Sequence, residues 1–347
     1  MRALVFHGPW NMTVEDRAEP EPGPGDALLA IIATGICGSD LHGYTGDTGR
    51  RMPGQVMGHE TVGRVLDDRT GQHEPGALVT VNPVLGCRDC PACAAGTPQR
   101  CPARRVIGVQ PDISSAFAER MVAPAANVVP LPARTPPDIG SLVEPLSVGY
   151  NAVQRGGIRA DDIVYILGGG PIGQAVAIAA RRLGARAPVV AELDPARRSL
   201  VTRLGFGTVD PASQSAEDIT AILGGPPTVV VDAVGATATV QSALEIAALG
   251  ARIVLVGMAA PRLDVAAYAL STGERSLLGS FCYGDMAFCD TASWASEHAA
   301  DLEPLIEGRV DLDAAPDTFR ALADRTLTAS KVLVYPAGQS QAAGSIR

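Results

Sequence analysis

The sequence has no long basic run, and its 28 Lys and Arg against 37 Asp and Glu give a net charge of −9. Both features argue against nucleic acid or an anionic membrane as a partner. An apolar stretch long enough to cross a bilayer is also missing, and the N-terminal MRALVFHGPWNMTVEDRAEP has no signal-peptide core. A cytoplasmic protein is expected. Internal repeats are absent, and the single low-complexity tract is the terminal AGQSQAAGSIR, expected to fray.

What is present is the composition of a soluble globular protein, with 46% hydrophobic and 19% charged residues. A length of 347 residues suggests two domains. The first 130 residues or so read as short β segments broken by Gly and Pro, among them ALLAIIATG, TVGRVL, ALVTVNP and FAERMVAP. After the Pro-rich LPARTPPDIG (131–140) the pattern alternates. DIVYIL, APVVAEL, PTVVVDAVG and ARIVLVGM are apolar, β-branched runs, separated by helical segments such as QAVAIAARRLG and ATVQSALEIAALG. Buried parallel strands joined by helical crossovers give this grammar, so the fold class is α/β with a doubly wound parallel sheet. The tail adds a helix near PDTFRALADR and a strand, KVLVYP.

GGGPIG places Gly168, Gly170 and Gly173 at G-x-G-x-x-G spacing, between a strand and a helix. In that context the glycines allow a tight turn, close approach of backbone to a pyrophosphate, and close helix packing. The helix N-terminus then offers N–H groups to the phosphates. Glu192 ends the next strand, where a carboxylate accepts from ribose hydroxyls and repels a 2′-phosphate, favouring NAD over NADP. Arg197 lies either near the adenine ribose or on a solvated helix face.

Four of the seven cysteines, Cys87, Cys90, Cys93 and Cys101, follow the spacing C-x2-C-x2-C-x7-C. In a reducing compartment such a cluster reads as metal ligands rather than disulfides. One kind of iron–sulfur run starts similarly but has three residues before its last cysteine, so tetrahedral structural zinc is the preferred reading. Four thiolates close the shell and leave no position for substrate. Cys282 and Cys289 stand apart and are expected to be buried free thiols.

GICGSDLHGY (35–44) and MGHET (57–61) offer a sparser set, Cys37 and His59, with Glu60 and Glu144 as candidate third ligands. Catalytic zinc takes three protein ligands and keeps one position open. These segments, the four-cysteine lobe, EPLSVGYNAV, GGGPIG with Glu192, VLVGM and LLGSFCY occur in one order along residues 1 to 335. In that order the chain resembles the zinc-dependent medium-chain dehydrogenases, whose members include alcohol, sorbitol, butanediol and threonine dehydrogenases.

The resemblance implies a GroES-like β-rich catalytic domain over 1–148 with a structural zinc lobe (86–102). A Rossmann NAD-binding domain over 149–281 follows, and the chain returns to the first domain over 282–347. Cys37, His59 and Glu144 would hold the catalytic zinc, with Glu60 as an alternative or alternating ligand. Asp40 would orient His59, and Ser39 and His42 would relay the proton. Pro171, Ile172, Val256, Gly257, Met258, Ser280 and Phe281 would join the glycines, Glu192 and Arg197 against the cofactor. The implied activity is hydride transfer between NAD and a secondary alcohol, diol, polyol or cyclitol. An NADP-dependent aldehyde or ketone reductase and a non-catalytic NAD-binding protein are the alternatives. The resemblance also implies a homodimer or homotetramer. Two departures count against a long sugar alcohol as substrate: Cys282 stands where sorbitol dehydrogenases carry arginine, and Gly43 where they carry tyrosine.

Overall fold

The computed structural model describes residues 1–338; residues 339–347, most of the AGQSQAAGSIR tract, lie outside the described residues. The chain forms two compact units, Met1–Glu144 with Gly284–Arg347, and Pro145–Tyr283. Among the described residues no helix is long and apolar enough to cross a membrane.

The first unit is organised around the strand Asp26–Gly35, whose last five residues are all buried. It pairs antiparallel with Glu60–Asp68, setting Gly35 opposite Glu60 and Thr34 opposite Thr61. On its other side the late strand Lys331–Tyr335 pairs antiparallel, with Leu333 opposite Gly35. Three segments distant in sequence therefore end at one edge: the stretch before Cys37, the stretch after His59, and Lys331.

The helix Gly38–Thr45 follows directly from this edge. An aromatic cluster fixes it: Tyr44 is 1% exposed and meets Phe319 edge to face at 5.7 Å, and Phe319 meets Phe117 at 5.4 Å. Such pairs add about 0.5–1.5 kcal/mol each beyond the area they bury. Gly-rich GICGSDLHGY carries no helical periodicity, so this helix is not evident from the sequence. Asp285–Glu297 is a second helix not expected from the sequence, its buried stripe being largely small and polar residues rather than large apolar ones.

The second unit contains a six-stranded parallel sheet in the order Gly207–Val209, Val189–Ala191, Val164–Leu167, Val229–Asp232, Arg252–Leu255, Ser276–Gly279. The order reverses next to Val164–Leu167, the first strand, as in the doubly wound nucleotide-binding fold. Val164–Leu167 and Val229–Asp232 are buried along their whole length, as strands covered by helices on both faces must be.

The two isolated cysteines correct the expectation made for them. Both are free thiols, but Cys289 is exposed and Cys282 only half-buried. The helix Asp285–Glu297 buries Phe288, Thr291, Ala292, Ala295 and Ser296, a stripe at three- and four-residue spacing, and Cys289 falls outside it.

Candidate active site

Cys37, His59 and Glu60 converge at the sheet edge, with one ligand atom of each lying within 4.8 Å of the others. Cys37 caps the helix Gly38–Thr45. His59 and Glu60 are 6% and 1% exposed. Glu144, 7% exposed at the start of the helix Val143–Gly156, lies outside that cluster.

Asp40 ties the cluster together. Its Oδ2 accepts the Cys37 backbone N–H at 3.1 Å, and its Oδ1 lies 3.5 Å from His59 Nδ1. Burial disfavours the Asp40 charge, but His59 and Arg51 hold its carboxyl below the usual range. His59 shows the converse: burial pushes its pKa down, yet Asp40 and Cys37 raise it well above the ordinary value. The Asp40 carboxylate and the Cys37 sulfur thus both favour positive charge at His59. Thiolate, imidazole and carboxylate at this spacing fit a zinc ion, which would supply that charge.

Glu60 has a partner that the sequence did not reveal. Lys331 Nζ donates to both Glu60 oxygens, 2.6 Å from Oε1, and to the Ile36 carbonyl at 3.2 Å. Both side chains are buried, at 3% for Lys331 and 1% for Glu60. A lysine opening the run KVLVYP reads as the surface end of a strand. Only the pairing of Lys331–Tyr335 beside Gly35 brings it inward.

Ser39 and His42 lie three residues apart on the helix Gly38–Thr45, and so on one face. Ser39 is half-buried and His42 exposed, with His42 Nδ1 3.4 Å from Asp47 Oδ2. Ser39 stands two residues after Cys37 in the chain, and His42 reaches solvent from the same helix face.

The thiols of Cys87, Cys90, Cys93 and Cys101 also come within 4.8 Å of one another. Cys90 caps the short helix Pro91–Ala94, and the Cys87 N–H donates to Cys101 Sγ at 3.4 Å. The set fits tetrahedral zinc.

In the second unit the candidate cofactor residues gather at the carboxyl ends of the strands. Gly168, Gly170, Pro171, Ile172 and Gly173 follow Val164–Leu167 and open the helix Pro171–Arg182. A Cβ on Gly173 would stand 1.7 Å from the Gly168 carbonyl oxygen, so that turn admits only glycine. Glu192 follows Val189–Ala191, Val256, Gly257 and Met258 follow Arg252–Leu255, and Ser280 and Phe281 follow Ser276–Gly279.

Glu192 is already engaged: Oε2 accepts the Gly169 N–H at 2.8 Å and Oε1 the Asp194 N–H at 2.9 Å. It thereby fixes the glycine turn. The Arg197 backbone N–H caps onto Asp194, and its Nε is buried without a hydrogen-bond partner. Asn151, another residue the sequence did not suggest, donates to Ser280 Oγ at 2.9 Å.

Comparison with known proteins gives the family of the chain. Residues 23–133 match the alcohol dehydrogenase GroES-like domain, and residues 171–297 match the zinc-binding dehydrogenase domain. L-galactonate-5-dehydrogenase of Escherichia coli (strain K12) is 33% identical over 288 residues, covering 81% of this chain and 83% of that protein. Sorbitol dehydrogenase of Ovis aries is 30% identical over 332 residues, covering 91% and 92%. A crystal structure described as a zinc-binding dehydrogenase of Sinorhizobium meliloti 1021 bound to NADP superposes with a TM-score of 0.87 at 30% identity, over 96% of this chain and 99% of that one. The chain belongs to the zinc-dependent medium-chain dehydrogenase/reductase family.

Proposed function

We propose that this protein is a zinc- and NAD-dependent dehydrogenase of secondary alcohols in the diol, polyol or cyclitol class, with its chemistry at Cys37 and His59. The observation that carries the reading is the buried cluster of Cys37, His59 and Glu60, set against a helix that presents Ser39 and His42. The relatives named above as sorbitol and L-galactonate dehydrogenases support the substrate class.

A zinc ion at this cluster supplies Lewis acidity, and a bound nicotinamide dinucleotide supplies the hydride acceptor. The chain does the rest. Cys37 and His59 would hold the ion, and Asp40 keeps His59 in place from behind. Glu60 is one candidate for the third ligand and Glu144 the other. The Lys331 ion pair bears on this choice, because a carboxylate that satisfies a buried ammonium gives less charge to a metal. Ser39 takes the proton from the substrate hydroxyl and His42 delivers it to solvent. The four-cysteine lobe would hold a second zinc, with a structural role.

NAD is the expected cofactor, because a carboxylate at Glu192, directly after Val189–Ala191, would repel a 2′-phosphate. The NADP-bound structure from Sinorhizobium meliloti makes the opposite preference the specific competitor. The test is NADH and NADPH formation by zinc-loaded protein over a panel of diols, polyols, cyclitols and hydroxy acids. Turnover with NAD on at least one secondary alcohol is expected. No turnover on any member with either cofactor contradicts the reading, and faster turnover with NADP overturns the cofactor preference.

A further inference from the structure

A fully buried cation behind the metal cluster has no part in the mechanism above. Arg51 is 3% exposed at its side chain, and its guanidinium faces the start of the helix Gly38–Thr45. Nη2 donates to the Ser39 carbonyl at 3.3 Å, Nη1 to the Val109 carbonyl at 3.4 Å, and Nε to Met57 Sδ at 3.0 Å. Nη2 also stands 4.0 Å from Asp40 Oδ1, the oxygen that lies 3.5 Å from His59 Nδ1. That oxygen has no hydrogen-bond partner of its own and lies between the Arg51 guanidinium and the His59 imidazole.

Gly43 makes room for this arrangement. A Cβ at position 43 would stand 2.7 Å from Arg51 Cγ and 2.8 Å from Nε, close to the root of the side chain, where it cannot swing aside. The glycine that replaces the tyrosine of sorbitol dehydrogenases is thus the steric counterpart of the buried arginine.

We propose that Arg51 is a positioning residue for the reaction: it fixes Asp40, and through Asp40 the His59 imidazole, while its bond to the Ser39 carbonyl fixes the backbone from which the relay hydroxyl projects. Its contribution reaches the metal through one intervening carboxylate. Removing a partner from behind a ligand weakens metal binding by about 10- to 100-fold, and Arg51, one step further out, belongs at the lower end of that range. The inference rests on the Cys37–His59 reading of the metal site.

The experiment measures zinc release from the holoenzyme to a chromogenic chelator, with melting temperature and kcat and KM recorded alongside. The proteins are wild type, Arg51→Met, Arg51→Lys, Gly43→Ala, Asp40→Asn, the Arg51→Met/Asp40→Asn double variant and Cys37→Ser. Arg51→Met is expected to weaken the more labile zinc about tenfold and to lower kcat more than it raises KM. Arg51→Lys recovers part of both effects. Gly43→Ala keeps the charge but displaces its stem, and shifts both in the same direction as Arg51→Met. Adding Arg51→Met to Asp40→Asn changes zinc affinity little, because both act through one carboxylate.

Zinc affinity within about twofold of wild type in Arg51→Met and Gly43→Ala overturns the inference, as do fully additive effects in the double variant. If Arg51→Met does not fold, Arg51→Lys and Gly43→Ala decide by the same criterion. A Cys37→Ser protein that keeps the labile zinc overturns instead the metal-site reading on which the inference stands.

Discussion

Lys331 Nζ lies 2.6 Å from Glu60 Oε1, with both side chains buried beside Cys37 and His59. The pair joins the last described strand to the edge that carries the candidate metal ligands. It places a fixed positive charge against a candidate metal ligand. Breaking a buried pair by removing one partner strands the other charge, at a cost of about 3–5 kcal/mol. Lys331→Met should therefore destabilise the protein by roughly that amount. The Lys331→Met/Glu60→Gln double variant should recover most of the loss, and denaturant unfolding of the zinc-free proteins measures both. Equal stability of the single variant and wild type would show that the pair holds nothing.

The same pair sets a pH dependence. Burial pushes the Lys331 pKa down, but Glu60, Cys37 and Glu144 raise it above the ordinary 10.5. A raised folded-state pKa stabilises below the unfolded value and is lost as pH rises through the folded one. The stability difference between wild type and Lys331→Met should stay constant from neutral pH to about 10 and shrink above it. A difference that fades between pH 6 and 8 would contradict the assignment.

Glu192 binds two backbone N–H groups, so its loss loosens the glycine turn as well as the ribose edge. Glu192→Ala is expected to weaken NADH binding on the order of tenfold or more, since bonds to a charged acceptor are worth about 1.5–3 kcal/mol. The variant should not become an efficient NADP enzyme, because Gly169 and Asp194 lose their acceptor. Fluorescence titration with NADH and NADPH measures this. NADPH binding by the variant as tight as NADH binding by wild type would refute it.

In the four-cysteine lobe without metal, the Asp89 N–H together with Cys101 and Cys90 brings the Cys87 thiol down to about 7, and burial pushes Cys93 up to about 11. Zinc must displace protons from such thiols, so uptake releases acid and weakens as pH falls. Cys90→Ser should lower Tm by roughly 5 °C or more and reduce the yield of assembled protein, while turnover per folded, zinc-loaded molecule survives. Unchanged Tm with selective loss of turnover would mean that the two metal sites have been assigned the wrong way round.

Much of this was legible in the sequence, for identifiable reasons. The parallel sheet announced itself through continuous valine-rich runs such as VVVD, because strands covered on both faces need no polar alternation. The glycines of GGGPIG and the clustered cysteines were legible because local geometry demands them at fixed spacing. Lys331, Arg51 and Asn151 were not. Each acts through contacts made by strands and loops that meet only in the folded chain, and a lone charged or polar residue carries no local mark of that. The helix Gly38–Thr45 was hidden for a related reason: its position depends on the Tyr44, Phe319 and Phe117 cluster rather than on its own residues. For Cys289, residue type suggested burial, but the phase of the helix around it decided exposure.

The proposed function assigns the chemistry to Cys37 and His59 and not to the conspicuous four-cysteine lobe. The most direct measurement is the turnover and zinc content of a folded Cys37→Ser protein on the best alcohol of the panel. An unchanged lobe zinc, a Tm close to wild type, and turnover reduced by more than about 100-fold are expected. Turnover within tenfold of wild type in a protein that has lost one zinc would contradict it.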